Sequence, residues 1–292
     1  MESPLKLDLI ADYACQTGEN PLWHAGEGCV YWVDIPPGKL FRYDPRTEEH
    51  GLVFQADGPI GGFTVESDGA LLLFMGKGAV ARWTPGTLTP VIDALPGEEE
   101  SRFNDVIADP RGRVFCGTMS SPRGAGRLYR LDPGDRVTEI LRGIGTSNGL
   151  GFTPDRTQLY YTDTRAQSIY LFDYDAQTGA IDNQRVFVTV EEDDAGHPDG
   201  LTVDAEGFVW SARWDGYCMV RYRPDGSEEL RVELPAKKVS SLAFGGPDLT
   251  DIYVTTAGGD NKAENGADAG ALFRVNLGIK GLPEFRSALR SG

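Results

Sequence analysis

Basic residues are scarce in this chain of 292 residues: 28 Lys and Arg stand against 44 Asp and Glu, for a formal net charge of −16. A face that grips a nucleic-acid backbone or an anionic membrane needs the opposite balance, so neither partner is expected. Histidine is scarcer still. The three present (His24, His50, His197) form no His-x-x-x-His pair, which disfavours a multi-histidine zinc site. The four cysteines (Cys15, Cys29, Cys116, Cys218) form no CxxC pair and are expected to be reduced, structural thiols. No run of about 18 apolar residues occurs, so no membrane span is expected. The first twenty residues lack a basic stretch followed by an apolar one, so no secretory signal is read and a cytoplasmic location is expected. P-loop, dinucleotide and GxSxG motifs are missing, as is any convincing helical periodicity over about 12 residues.

What the chain does contain is turns and a repeat. Its 37 Gly and 18 Pro suit many tight connections. One unit recurs: a polar or small residue, an alternating apolar stretch, a turn, then an aromatic or β-branched strand. The copies cover 19–34, 61–74, 104–118, 148–163, 199–212 and 240–256, and the second strands start at Tyr31, Leu71, Val114, Leu159, Val209 and Ile252. These starts lie 40 to 50 residues apart, the length of a four-stranded propeller blade. A third strand follows in each unit, as in LFRYDP (40–45) and LYRLDP (128–133), and segments such as 185–194 and 230–238 suit outer strands. Pairs such as Asp68-Gly69, Glu206-Gly207 and Asp225-Gly226 mark the turns. The expected architecture is all-β: one six-bladed β-propeller over 1–292, with four-stranded antiparallel blades around a central channel. The early strand 5–12 is expected to pair into the last blade, because closing the ring removes exposed edges.

In a propeller the first strand of each blade lines the channel, so equivalent positions converge on the axis. Two residues before each apolar pair stand Glu19, Gly61, Asn104, Asn148, Asp199 and Ser240. Two carboxylates and two amides on one axis are costly unless something satisfies them, and a divalent cation does so. Their oxygens suit Ca²⁺, Mg²⁺ or Mn²⁺, with Zn²⁺ or Fe²⁺ left open. Glycine at 61 leaves room. Asn148-Gly149 and Asp199-Gly200 are also ordinary hairpin dipeptides; their shared register favours a site. Arg102, two residues before Asn104, suits a substrate oxygen, a channel acid or an exposed salt bridge. The segment 119–126 suits a plain loop or a rim that contacts ligand hydroxyls, His197 a loop or the pocket wall, and Glu98–Glu100 a solvated loop.

The motifs Gly18-Glu19-Asn20-Pro21-Leu22-Trp23, Arg102-Phe103-Asn104-Asp105, Gly117-Thr118-Met119, Ser147-Asn148-Gly149-Leu150, Phe172-Asp173-Tyr174-Asp175, Pro198-Asp199-Gly200 and Phe244-Gly245-Gly246 span nearly the whole chain. Through them the sequence resembles the SMP-30/gluconolactonase/luciferin-regenerating family. The resemblance implies a six-bladed propeller with one divalent metal in its channel, held by Glu19, Asn148 and Asp199. It implies Asp199 as general base, and Arg102 and Asn104 as substrate contacts. An acidic residue that helps bind sugar in regucalcin-type members is replaced here by Ser121, which is taken as a third substrate contact and leaves the sugar open. The implied activity is hydrolysis of an aldonolactone to its acid. A propeller closes on itself, so a monomer is expected. Two alternatives are a paraoxonase-like hydrolase of esters or organophosphates, disfavoured by the few histidines, and a non-enzymatic metal-binding propeller.

Overall fold

The computed structural model describes residues 6–134, 136–191 and 194–289. They form six four-stranded antiparallel sheets, as the repeat requires. The innermost strands are Gly18–His24, Ile60–Val65, Phe103–Ala108, Ser147–Phe152, His197–Val203 and Lys238–Gly245, which open blades one to six. Blades one to five run outward in chain order. The sixth takes its outer strand from the other end of the chain, where Leu7–Asp12 pairs with Ala271–Asn276. That is the expected closure, although Leu5 of the expected strand lies outside the described residues, as do Glu192 and Asp193 of segment 185–194. The outer strands of blades four and five are Ile181–Thr189 and Glu228–Glu233. Among the described residues no helix is long and apolar enough to cross a membrane.

The second strands read as nearly continuous apolar runs because both of their faces are covered. In blade two, Leu71 and Leu73 pack with Tyr31 and Val33 of blade one. The intervening Leu72 and Phe74 pack with Val114 and Cys116 of blade three. Period two thus sends alternate side chains to opposite neighbours. Each such side chain, fully buried, contributes about 1.5–3 kcal/mol. All four cysteines are buried and free.

The Asp-Gly and Glu-Gly pairs do make turns: Gly69, Gly207 and Gly226 have φ of 93°, 84° and 87°. Gly149 and Gly200 do not; they sit inside innermost strands, so Asn148 and Asp199 are strand residues and not hairpin corners. A Cβ on Gly149 would stand 2.3 Å from the Leu201 amide nitrogen, and this glycine lets neighbouring blades meet at the axis. Gly61 corrects an expectation. It leaves no room for a ligand, because a Cβ there would overlap the Phe103 carbonyl oxygen at 1.9 Å.

Beyond the last strand, residues 277–289 cross the axis as a strap. Ala205 donates to the Lys280 carbonyl (2.8 Å), Gly281 to Leu249 (2.7 Å), Ser287 to Val65 (2.9 Å) and Ala288 to Gly112 (2.8 Å). Phe285 packs on Phe152 at 5.9 Å between ring centroids, beneath the Arg156 guanidinium. These partners all lie where the innermost strands end, so the strap covers one end of the channel. The polar ring sits where those strands begin, at the other end.

Candidate metal and substrate site

Each innermost strand loses its regular register beside the ring position. The irregularities fall between Glu19 and Leu22, Ile60 and Gly62, Phe103 and Val106, Ser147 and Leu150, Pro198 and Leu201, and Val239 and Ser241. A bulge leaves a residue out of the ladder and re-aims its side chain. The bulges lie at one level, and in four blades they bring a polar ring residue (Glu19, Asn104, Asn148 or Asp199) to one place. The result is a chamber of about 300 Å³ lined by Glu19, Arg102, Asn104, Asn148 and Asp199, with Thr17, Met119, Thr146, Thr164 and Trp214 completing its wall.

Hydrogen bonds link one side of this wall. Arg102 donates to Asn104 Oδ1 (2.6 Å), and Asn104 Nδ2 donates to Asn148 Oδ1 (2.5 Å) and the Ser147 carbonyl (2.8 Å). Asn148 Nδ2 donates to Thr164 Oγ1 (2.6 Å), whose hydroxyl donates to the Pro198 carbonyl (2.7 Å) beside Asp199. The Asn148 amide is therefore oriented, with its nitrogen engaged by Thr164 and its oxygen toward Asn104.

The acids are left differently. Glu19 and Asp199 are both buried and neither forms an ion pair among the described residues. Burial first, then Asp105, pushes the Glu19 carboxyl well above the usual range. Burial, then Glu19 and Asp105, does the same to Asp199, opposed by the Arg102 guanidinium. Burial also pushes Asp105 up to about 7, against the pull of Arg102. Its Oδ1 is buried without a hydrogen-bond partner.

This donor set fits a hard divalent cation: two buried carboxylates that repel one another, and an amide oxygen held in place. No group of three or more His, Cys, Asp or Glu among the described residues is arranged to hold a metal. A cation here therefore depends on the Asn148 amide as third donor.

The other expected positions resolve as follows. Arg102 lies against the channel acids and forms no surface salt bridge among the described residues. Ser240 is buried and donates to the Gly18 carbonyl (2.5 Å), a structural bond between blades six and one. Ser121 closes a tight turn with Gly124 and does not line the chamber. His197 is exposed, bonded to Gln167 Nε2 at 2.7 Å, and is not part of the wall. Glu98 is not solvated: it is buried and accepts from Arg127 and Tyr129, both at 2.8 Å. Glu99 and Glu100 are exposed and paired with Arg123. Thr164 and Trp214 were missed. The available signal was positional, since Met119, Thr164 and Trp214 all lie at the ends of second strands.

Six blades around an axis, with an acidic oxygen-donor ring at one mouth, define a propeller with a ligand site on its axis. The chain belongs to the SMP-30/gluconolactonase/LRE-like family, whose model matches residues 17–258. It is 48% identical over 290 residues to pentonolactonase XacC of Haloferax volcanii, covering 97% of this chain and 98% of that one. Its fold is similar to a solved luciferin-regenerating enzyme (TM-score 0.89, 28% identity, 98% and 100% of the two chains). It is also similar to the calcium-binding protein regucalcin of Agrobacterium tumefaciens (TM-score 0.86, 27% identity, 98% of both chains).

Proposed function

We propose that this chain hydrolyses a sugar lactone to its aldonic acid, using one divalent cation held by Glu19, Asn148 and Asp199. The observation that carries this reading is the pair of buried, unpaired carboxylates beside an oriented amide in an open chamber. The family and the pentonolactonase relative support it and favour a five-carbon lactone. The cation, when bound, supplies Lewis-acid polarisation of the lactone carbonyl.

The chain's own groups do the rest. Asp199 takes the proton of the attacking water as its oxygen bonds to the carbonyl carbon. The ring C–O bond then breaks, and the departing alkoxide takes up the proton held by Asp199, which regenerates the carboxylate as the hydroxy acid forms. Arg102 and Asn104 lie on the same wall and orient the lactone oxygens. The Asn104–Asn148–Thr164 chain keeps this wall rigid before substrate arrives.

The test is acid release, followed by pH-stat, from xylonolactone, gluconolactone and galactonolactone. Protein is stripped with EDTA and then given Ca²⁺, Mg²⁺, Mn²⁺, Zn²⁺ or Fe²⁺, with spontaneous hydrolysis subtracted. Turnover restored by a cation, highest on the five-carbon lactone, is the expected result. Tight cation binding without turnover of any lactone overturns the assignment.

A further inference from the structure

The chamber wall mixes two kinds of chemistry. Glu19, Arg102, Asn104, Asn148 and Asp199 bring charged and amide groups; Trp214 and Met119 are the large apolar groups. Trp214 ends the second strand of blade five and pairs with His197, two residues before Asp199. Its indole is thus placed by the strand that carries the proposed base. Its backbone is tightly held: a Cβ on Gly196 would stand 2.4 Å from the Trp214 carbonyl oxygen. Lys238 Nζ lies over the indole at 4.7 Å from the ring centroid and is itself tied to Asp215 at 2.6 Å. A cation on an aromatic face attracts it electrostatically and fixes the ring. Trp214 is nevertheless only half-buried.

Trp214 is half-buried and lines the chamber, so part of its surface is open to an occupant. Resting on the lactonase reading, we propose that Trp214 is the platform for the substrate ring. A hydroxylated lactone carries C–H bonds as well as hydroxyls. The electron-rich aromatic surface attracts the positive edge of C–H groups, while the hydroxyls and carbonyl turn to Arg102 and Asn104. This is the usual division of labour in a small-molecule pocket: aromatic contact area plus a few placed polar groups. Trp214 is a specificity-determining residue in this scheme, selecting flat, neutral, hydroxylated rings with an open C–H face.

The experiment compares wild type, Trp214→Ala and Trp214→Phe, each cation-loaded, on xylonolactone. For Trp214→Ala the expected KM is about tenfold higher, equivalent to about 1.4 kcal/mol, with kcat within threefold and cation affinity unchanged. Trp214→Phe keeps an aromatic face and is expected to hold KM within threefold of wild type. An unchanged KM in Trp214→Ala overturns the proposal. So does a fall in kcat and cation affinity together in both variants, which marks a merely structural role. Failure of the lactonase reading is separable, because wild type then releases no acid. In that case calorimetric titration with the corresponding aldonolactam decides: binding lost in Trp214→Ala and kept in Trp214→Phe supports the platform, and equal or absent binding in all three overturns it.

Discussion

Asp199 and Asp204 lie on and just beyond one strand, five residues apart, and are both almost fully buried. Asp204, at the strap end, is satisfied on every side. Its Oδ1 accepts from the backbone nitrogens of Glu206 and Phe208, and its Oδ2 from Trp210 Nε1 (3.0 Å) and Arg221 Nε (2.8 Å). Asp199, at the mouth, has Glu19, Asp105 and the Arg102 guanidinium as charged neighbours and forms no ion pair among the described residues. The contrast repeats in blade three, where Asp109 is bound by Arg113 and by the Tyr174 hydroxyl (2.7 Å) while Asp105 keeps an unpartnered oxygen. In these two strands one end thus completes its own hydrogen bonding, and the other keeps buried carboxylates for something else to complete.

The paired substitutions at these aspartates separate the two ends most widely. Asp199→Ala is expected to lower kcat/KM at least about 1,000-fold, the upper part of the range for a lost general base, with little change in Tm. Asp204→Ala is expected to cost about 3–5 kcal/mol of stability, while the folded fraction keeps its turnover; it leaves the Trp210 indole and the Glu206 and Phe208 amides without their acceptor and takes from Arg221 its one buried acid, with only Glu206 and Glu229 remaining. Full activity in the first variant, read by pH-stat, would sink the role given to Asp199.

Next in size is Asn148→Ala, which is expected to weaken cation binding about 10–100-fold. Calorimetric titration checks this, and an unchanged affinity removes Asn148 from the donor set. Leu289→Ala probes the far end, where the strap buries this side chain against blades two and three. About 2–3 kcal/mol of stability should be lost, with cation affinity unaltered. Loss of cation binding there would mean that the ends are not independent.

The smallest effect is on pH. Glu19, Asp105 and Asp199 are all raised on folding, so each favours the folded state when protonated. That contribution is complete below the ordinary carboxylate range and is lost as pH climbs, for Asp105 through about 7. Calorimetry on cation-free protein should therefore show a lower Tm at pH 8 than at pH 5.5. Adding a divalent cation should narrow the gap, and a gap that ignores the cation would argue against a shared site.

The blades were legible because a strand buried on both faces has little sequence freedom: Leu71–Phe74 must be apolar throughout. The ring was legible because blade repetition puts Glu19, Asn104, Asn148 and Asp199 in one register. The bulges that aim these residues leave no composition signal, and neither does a glycine whose missing Cβ makes way for a carbonyl, as at Gly61. The strap was not read at all. It joins main-chain hydrogen bonds from Gly281, Ser287 and Ala288, which any sequence can make, to single apolar side chains such as Phe285 and Leu289, which are spaced too irregularly for a periodicity to announce. Glu98 was misjudged because an acidic run looks solvated until Arg127 and Tyr129, about thirty residues on, are seen to reach it.

The pairing of Leu7–Asp12 with Ala271–Asn276 has a temporal consequence. Chains emerge from the ribosome N-terminus first. The outer strand of blade six is thus made before the five blades between, and its partner after them. Blades one to five can form as they emerge, but the final joint must wait until Ala271–Asn276 has been made. Contacts this distant in sequence slow folding, so closing the ring is the late step of assembly.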